Sequence, residues 1–247
     1  MYSLIRPLAA LVAGLLSLAA PAQAQTLRND LNDVGMDLYQ RANAPDALEK
    51  MRRDLINAPE AYLVALEQPG TLVLANKRRV RVPAMKYNVA LRLLEVRDST
   101  GSHVWPPGSL DGFYLGKGSE ARHFRTYDVR DGSVKRNFVE VLTVDDDCPL
   151  VLGVMHHYVH DDAQLDPVLQ TETKAARTEI GQVVVAGPGR APHEPLRAIM
   201  LNQRYVSKLF GPQAAAVEAF AAKEHLVYTD LAQVMRMVEY YNQKLLK

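Results

Sequence analysis

Hydrophobic and polar residues change their period twice along this chain, which divides it into three zones. Near the N-terminus, apolar positions such as Leu48 and Met51 recur at helical spacing. From about Thr71 the period becomes two, which is typical of half-buried strands, and after Pro195 the helical period returns. The pattern predicts a helical segment at 25–68, a β-rich core at 69–195 and a C-terminal helical segment at 196–247, with 69–247 as a single globular unit.

The central zone predicts a series of short strands separated by turn residues. They lie near residues 71–74, 79–82, 89–96, 112–115, 122–129, 137–144, 150–159 and 179–185. Asp131-Gly132 stands between two of these strands and predicts a tight hairpin, because glycine readily adopts positive φ. Strands with such short connections favour an antiparallel sheet or a small barrel-like meander.

Three short helices are predicted after Pro195. The first contains Tyr205 and Leu209, and the second contains Val217 and Phe220. The third is predicted from an apolar stripe and from two candidate N-cap residues: Leu231, Val234, Met235, Val238 and Tyr241, preceded by Thr229 or Asp230. The expected fold class is α+β, an antiparallel sheet or barrel-like meander with an N-terminal helical arm and C-terminal helices.

The first residues follow a different pattern, that of a bacterial secretory signal peptide at 1–24. Arg6 precedes the apolar run Leu8–Ala20, and Ala22-Gln23-Ala24 supplies small residues at the cleavage site. The run is shorter than the about 20 helical residues that cross a bilayer, and no cysteine follows it to take a lipid. We expect cleavage near Ala24 and release, with neither a transmembrane nor a lipid anchor, into the periplasm or the medium.

Charge is balanced once that leader is removed. The chain has 29 Lys and Arg against 28 Asp and Glu, and loss of Arg6 leaves 28 against 28. This balance disfavours nucleic acid or an anionic membrane as the main partner, because both reward an excess of cations. The basic run Lys77–Arg81 is predicted to be the solvent face of a strand, because its cations alternate with Val80 and Val82.

Cys148 is the single cysteine, so no internal disulfide can form. Asp145–Asp147 precede it directly, and three carboxylates disfavour a reactive thiolate. We therefore expect an inert cysteine. The same three aspartates predict a hairpin turn rather than a calcium loop, because they lack the alternating ligands, glycine and distal glutamate of such loops.

The densest group of metal-ligating side chains is His156-His157-Tyr158-Val159-His160-Asp161-Asp162. On a strand His156 and His160 lie about 13 Å apart and His157 faces the other way, so these histidines do not share one ion. A partial site of His160, Asp161 and Asp162, completed by a ligand from elsewhere, is the alternative we carry forward. Zinc or another transition metal would suit such donors, and histidines on sheet faces beside an acidic loop are the simpler interpretation.

Other candidate chemistry is sparse. The chain has no Gly-x-Ser-x-Gly elbow, and Gly116–Ser119 lacks the spacer of a phosphate loop. Glu140 and Asp111 are carboxylates that a glycosidase would use in a pair, but the sequence does not place them together. Trp105 is expected to anchor the core or an edge rather than to form a platform for a ligand. No catalytic residue and no cofactor is predicted.

Three short stretches resemble a group of uncharacterised exported bacterial proteins. They are Arg136–Leu142, His123-Phe124 and Glu239-Tyr240-Tyr241-Asn242, and the likeness runs from Thr71 to Asn242. The resemblance implies a β-rich middle and a helical tail. It implies no activity, so it assigns no functional residues.

These features together predict an exported, non-enzymatic binding or structural module of the cell envelope, acting through a protein partner or self-association. The alternative is a metal-binding protein or metal-dependent hydrolase that uses the 156–162 cluster. Bound metal at one ion per chain would distinguish the two interpretations.

Overall fold

The structure, a computed structural model, describes residues 53–56, 58–99, 101–143, 148–161, 163–165, 172–189 and 194–245. Its strands are β1 (Gln68–Val73), β2 (Arg79–Asn88), β3 (Leu93–Asp98), β4 (Gly101–Trp105), β5 (Gly112–Leu115), β6 (Arg122–Asp131), β7 (Ser133–Val141), β8 (Leu150–Asp161), β9 (Gln164–Leu165), β10 (Glu172–Lys174), β11 (Arg177–Pro188) and β12 (Leu196–Ala198). Its helices are α1 (Gln203–Leu209), α2 (Ala214–Lys223) and α3 (Leu231–Tyr240). In these ranges no helix is both long and apolar enough to span a membrane.

Ten of the twelve strands in the described ranges form one sheet, in the order β12-β11-β8-β7-β6-β5-β1-β2-β3-β4. A second, parallel contact places Leu196 and Arg197 of β12 against Val129 and Arg130 of β6. This contact joins β6, β7, β8, β11 and β12 into a small closed barrel. The other strands of the sheet continue from β6 as an open extension. The expected α+β fold with an antiparallel, barrel-like sheet is confirmed.

The barrel has an apolar interior to which all five of its strands contribute. Val129, Val139, Val151, Val185 and Leu196 form one buried cluster there. The opposite face of β6, β7 and β8 packs against the sheet extension in a larger cluster. Alternating strand residues therefore supply two separate cores, one inside the barrel and one between the barrel and the extension.

The C-terminal helices cover a third apolar cluster on the outside of the barrel. Leu150 and Leu152 of β8 pack there with Val206, Val217 and Met237 from the helices. The predicted helices are confirmed, and two of them have side-chain caps. Asn202 accepts a hydrogen bond from the Tyr205 amide at 3.1 Å, and Asp230, rather than Thr229, accepts one from the Gln233 amide at 3.0 Å.

A π-helical turn, Tyr241–Leu245, follows α3 and fixes the chain end to the barrel. The Asn242 amide accepts from the Leu150 backbone N–H at 3.0 Å and donates to the Leu150 carbonyl at 2.8 Å. Tyr240 stacks on Phe220 with ring centroids 4.1 Å apart, and Tyr241 lies 5.3 Å from Phe210. Within the Tyr-Tyr-Asn stretch, Asn242 thus binds β8, while the two tyrosines pack against the other helices of the tail.

One predicted strand is wrong in its first half. Residues 89–92 form a turn, and β3 begins only at Leu93. The Asn88 side chain accepts from the Leu91 amide at 2.9 Å, and Arg92 has a φ of 54°. Val89 and Ala90 are fully buried. Because a buried turn is as apolar as a strand, periodicity did not distinguish them.

Only the end of the predicted N-terminal helical segment, 25–68, lies within the described residues. Residues 53–56 are helical and Pro59–Ala61 form a 3-10 turn, but β1 already begins at Gln68. The predicted signal peptide, the remainder of the predicted arm up to residue 52, and Asp145–Asp147 lie outside the described residues. The tight turn at Asp131-Gly132 is confirmed, since Asp131 pairs with Ser133 across it and Gly132 has a φ of 76°.

Removing the Asn242 amide should weaken attachment of the tail. We expect Asn242→Ala to lower the free energy of unfolding by about 1–2 kcal/mol, because the Leu150 N–H loses its acceptor. Gln243→Ala, at the exposed neighbouring position, is the matched control and should change it by less than about 0.5 kcal/mol. Chemical denaturation of both variants measures the difference, and equal effects would contradict this role of Asn242.

Candidate functional site

Three polar side chains from adjacent barrel strands form the most chemically distinctive group in the described structure. Arg122 of β6 donates to both carboxylate oxygens of Glu140 on β7, from Nε at 2.8 Å and from Nη2 at 2.6 Å. His156 Nε2 on β8 lies 2.8 Å from Glu140 Oε2. Since an ionised carboxylate only accepts, His156 donates to it from Nε2. We call this group the Arg122–Glu140–His156 network.

The network holds Glu140 in its ionised form. Burial alone would raise the pKa of this carboxyl, but the hydrogen bonds from Arg122 and His156 and their charges outweigh burial. The pKa of Glu140 falls from its usual 4.5 to about 2. Its charge is therefore present throughout the neutral range and is balanced inside the network.

The network is closed to ligands on the histidine side. The His156 side chain has 0% exposure, against 15% for Glu140 and 35% for Arg122. Its Nδ1 is buried and has no hydrogen-bond partner among the described residues. A general base must approach the substrate proton to within hydrogen-bond distance, which a fully buried imidazole does not do in this conformation.

The position of the network gives it a structural role. The ladder between β7 and β8 is short, with Glu140 opposite Val154 and Val141 opposite Gly153. Arg122, Glu140 and His156 tie β6, β7 and β8 together at this place through their side chains. The Arg122 guanidinium also lies 5.6 Å from the ring centroid of Phe124, which continues the contact into the apolar core.

The residues of the predicted metal site are dispersed at the end of β8. His160 is exposed, and its Nδ1 lies 2.9 Å from Thr178 Oγ1. Asp161 accepts from Lys174 Nζ at 2.9 Å, which lowers the pKa of its carboxyl. Consecutive strand residues face opposite sides of the sheet, so these two side chains diverge. Asp162 lies outside the described residues.

The other histidines of this stretch also serve the fold. His156 belongs to the network, and His157 packs against Gly181, where a Cβ would come within 2.5 Å of its ring. The strand assignment that separated His156 from His160 is confirmed, because both lie on β8. Within the described ranges, no group of three His, Cys, Asp or Glu side chains has an arrangement that could hold a metal ion.

Asp111 and Glu140 are bound to different arginines. Asp111 pairs with Lys77 at 2.7 Å and lies 3.6 Å from Arg125, while Glu140 pairs with Arg122. Positions 122 and 125 of one strand face opposite sides of the sheet. The two carboxylates are therefore on opposite faces and do not form the pair that a glycosidase requires.

Three further sequence predictions agree with the structure. Trp105 ends β4 and packs against the larger core cluster, as expected for an anchor. Cys148 is buried and its thiol donates to the Leu150 carbonyl at 3.0 Å, a setting that favours the expected inertness. Gly116–Ser119 leads into a 3-10 turn and then into β6, so it is a plain connecting loop.

β2 carries an exposed basic surface at its start. Arg79 and Arg81 are exposed, whereas Val80 is half-buried and Val82 is buried, which confirms the predicted solvent face. The Arg79 guanidinium lies 5.3 Å from the ring centroid of Tyr114 on β5. Tyr114 in turn stacks on His123 of β6, with centroids 4.2 Å apart and an interplanar angle of 4°.

Sequence reasoning missed the Arg122–Glu140–His156 network as a unit. One signal was present in the sequence: Glu140 is a charged residue inside the otherwise apolar run Phe138–Val141. A lone carboxylate within a buried strand needs a cationic partner. Nothing local identified Arg122 and His156 as those partners, since they are 18 and 16 positions away.

Comparison with known proteins adds no assignment, because no family model, no curated protein and no solved structure matches this chain.

Replacing Glu140 should destabilise the protein in a pH-dependent way. We expect Glu140→Gln to cost about 2–3 kcal/mol at pH 7, because charged hydrogen bonds are lost and Arg122 is left unbalanced. A lowered folded-state pKa stabilises the fold above the usual value of 4.5, and this contribution disappears as the pH falls towards about 2. The difference between wild type and variant should therefore shrink over that interval.

Urea denaturation of both proteins across this pH interval measures the effect. Glu179→Gln is the matched control, because Glu179 is an exposed strand carboxylate paired with Arg177. It should change stability by less than about 1 kcal/mol. A Glu140 effect that is independent of pH would contradict the role of its charge.

Proposed function

We propose that this protein is an exported, envelope-associated binding or structural module rather than an enzyme. One observation carries the proposal: the side chains that most resemble catalytic machinery, Glu140 and His156, are engaged with Arg122 inside the fold. Their chemistry stabilises β6, β7 and β8. Function then falls to the surfaces, where the sheet extension exposes uncompensated cations.

The proposal of export rests on the N-terminal pattern. Arg6, the apolar run Leu8–Ala20 and the small residues at Ala22 and Ala24 are the parts of a signal peptide. The proposed destination is the periplasm or the medium of a bacterium. The proposed relationship to exported bacterial proteins fits that destination and stays a prediction.

Export is tested by expressing the full chain in a bacterial host and measuring the intact mass of the protein in the periplasmic fraction. We expect the mass of residues 25–247. A variant with Lys at positions 22 and 24 (Ala22→Lys with Ala24→Lys) should remain a precursor, because signal peptidase requires small residues there. Full-length protein in the cytosol of cells expressing the natural sequence would overturn the proposal of export.

Binding is tested by two measurements on the mature protein. Sedimentation velocity over a range of concentrations detects self-association, and crosslinking in intact cells followed by mass spectrometry identifies partner proteins. We expect a defined oligomer or a reproducible crosslink to one partner. A monomer with no reproducible crosslink would overturn the binding proposal.

The alternative proposal is metal binding at the end of β8. It would use His160 with Asp162 or Asp161 and at least one ligand from elsewhere, and zinc or another transition metal would suit these donors. His160 is favourably placed in one respect, because its exposed ring is oriented by Thr178 through Nδ1. Asp161 would have to release Lys174 to take part.

Native mass spectrometry of the mature protein, purified without chelator, separates the two proposals. The binding module predicts the bare polypeptide mass, no change in Tm on addition of chelator, and the same result for His160→Ala. An added mass of one zinc ion per chain, lost in His160→Ala but retained in the control His103→Ala, would favour the metal site. His103 is the control because it is also exposed and lies on a different strand.

A further inference from the structure

We propose that Arg79 and Arg81 on the exposed face of β2 form a docking surface for an extended acidic segment of a partner protein. This proposal rests on the proposed binding function and adds the chemistry of the partner. Charge complementarity carries it: two guanidinium groups stand on one face of a strand, and the partner supplies carboxylates.

Some exposed arginines of this protein have acidic partners, whereas Arg79 and Arg81 have none among the described residues. Arg97 on the nearby β3 pairs with Glu67 at 2.9 Å, and Arg136 pairs with Asp128 at 3.1 Å. Among the described residues, no carboxylate lies within ion-pair distance of Arg79 or Arg81. Two like charges held in proximity repel each other, and an incoming anion relieves that repulsion.

Asp111, a carboxylate near the start of β2, already pairs with other cations. Asp111 accepts from Lys77 at 2.7 Å and also lies 3.6 Å from Arg125. This pairing uses the Asp111 carboxylate for Lys77 and Arg125 and leaves Arg79 and Arg81 without it. Arg79 and Arg81 therefore stay charged and hydrated at the surface, where an anion from another molecule can pair with them.

Arg79 is positioned before any partner arrives. Its guanidinium lies over the Tyr114 ring at 5.3 Å, and the other side of that ring is covered by His123, 4.2 Å away. A planar guanidinium stacked on an aromatic ring loses less conformational freedom when it binds a carboxylate than a mobile one does. Its hydrogen-bond donors can engage the two oxygens of a carboxylate together.

The spacing of the arginines indicates the form of the partner. Positions 79 and 81 are alternate residues of a strand, so their backbone sites are about 6.6 Å apart. An extended peptide with acids at alternate positions repeats its carboxylates at the same interval. A polyanion such as nucleic acid is disfavoured, because the whole chain carries 29 cations against 28 anions and offers no wide basic surface.

The probe for this surface is a fluorescein-labelled peptide of alternating glutamate and threonine, titrated with the mature protein at low ionic strength. We expect saturable binding, measured by fluorescence anisotropy, that weakens with added salt. Arg79→Gln and Arg81→Gln should each weaken it roughly tenfold, as expected for loss of a charged hydrogen-bond pair. Arg79→Lys should weaken it several-fold, because lysine keeps the charge but loses the planar stacked group.

Arg97→Gln is the matched control, because it removes one exposed arginine of the same sheet that is already paired. It should leave the peptide affinity within about twofold, and all variants should keep the wild-type unfolding midpoint. A peptide of the same composition with its glutamates in one block should bind several-fold more weakly. Equal effects of the Arg97 and Arg79 variants, or equal affinity for both peptides, would overturn the docking surface.

Two further probes separate protein from other anions. Tighter binding of a single-stranded oligonucleotide, or of vesicles containing anionic phospholipid, than of the alternating peptide would overturn the acidic-segment proposal. Failure of the peptide to bind, while crosslinking in cells still captures a partner, would remove this surface but keep the proposed binding function. Failure of both would remove both proposals.

Discussion

Packing of four aromatic rings holds the sheet extension against the barrel, and the rest of the structure depends on this contact. Tyr87 and Phe113 come from the extension, and Phe124 and Phe138 come from barrel strands. Phe113 stacks on Phe124 at 4.7 Å and meets Phe138 edge-on at 5.1 Å. All four are almost completely buried, so a change in their packing would weaken the contact between the extension and the barrel.

The Arg122–Glu140–His156 network adjoins this aromatic cluster and follows from the same constraint. Phe124 touches both systems, since the His156 ring lies 6.1 Å from it and the Arg122 guanidinium lies 5.6 Å from it. A charge beside a close-packed apolar core must be compensated locally. Within the barrel wall, Arg122 and His156 compensate the charge of Glu140. The cations of β2 remain on the surface, where they can meet another molecule.

Local signals in the sequence located many elements because each is set by nearby residues. Asp131-Gly132 marks a tight turn, and Asp230 with the apolar stripe of α3 marks a helix, whatever surrounds them. Prediction was less successful where burial hid the local signal. The turn at 89–92 consists of buried residues stabilised by Asn88, and β12 has only three residues, too few to show a period.

The candidate functional residues likewise include local features, which the sequence predicts, and features that depend on strand pairing, which it does not predict. The alternation of Arg79 and Arg81 with valines is a local property, and it correctly predicted the solvent face of a strand. The stack of Arg79 on Tyr114 and His123 joins three strands, so it depended on how those strands pair. The network around Glu140 likewise became visible only when β6, β7 and β8 were in register.

The sequence by itself determined the strand-rich middle, the helical tail and the exposed basic strand, because periodicity, caps and turn residues act over a few positions. The tertiary structure decided the closure of the barrel by β12 and the partners of Glu140. These features join residues far apart in the chain, and their geometry depends on strand register and burial, which no local pattern contains.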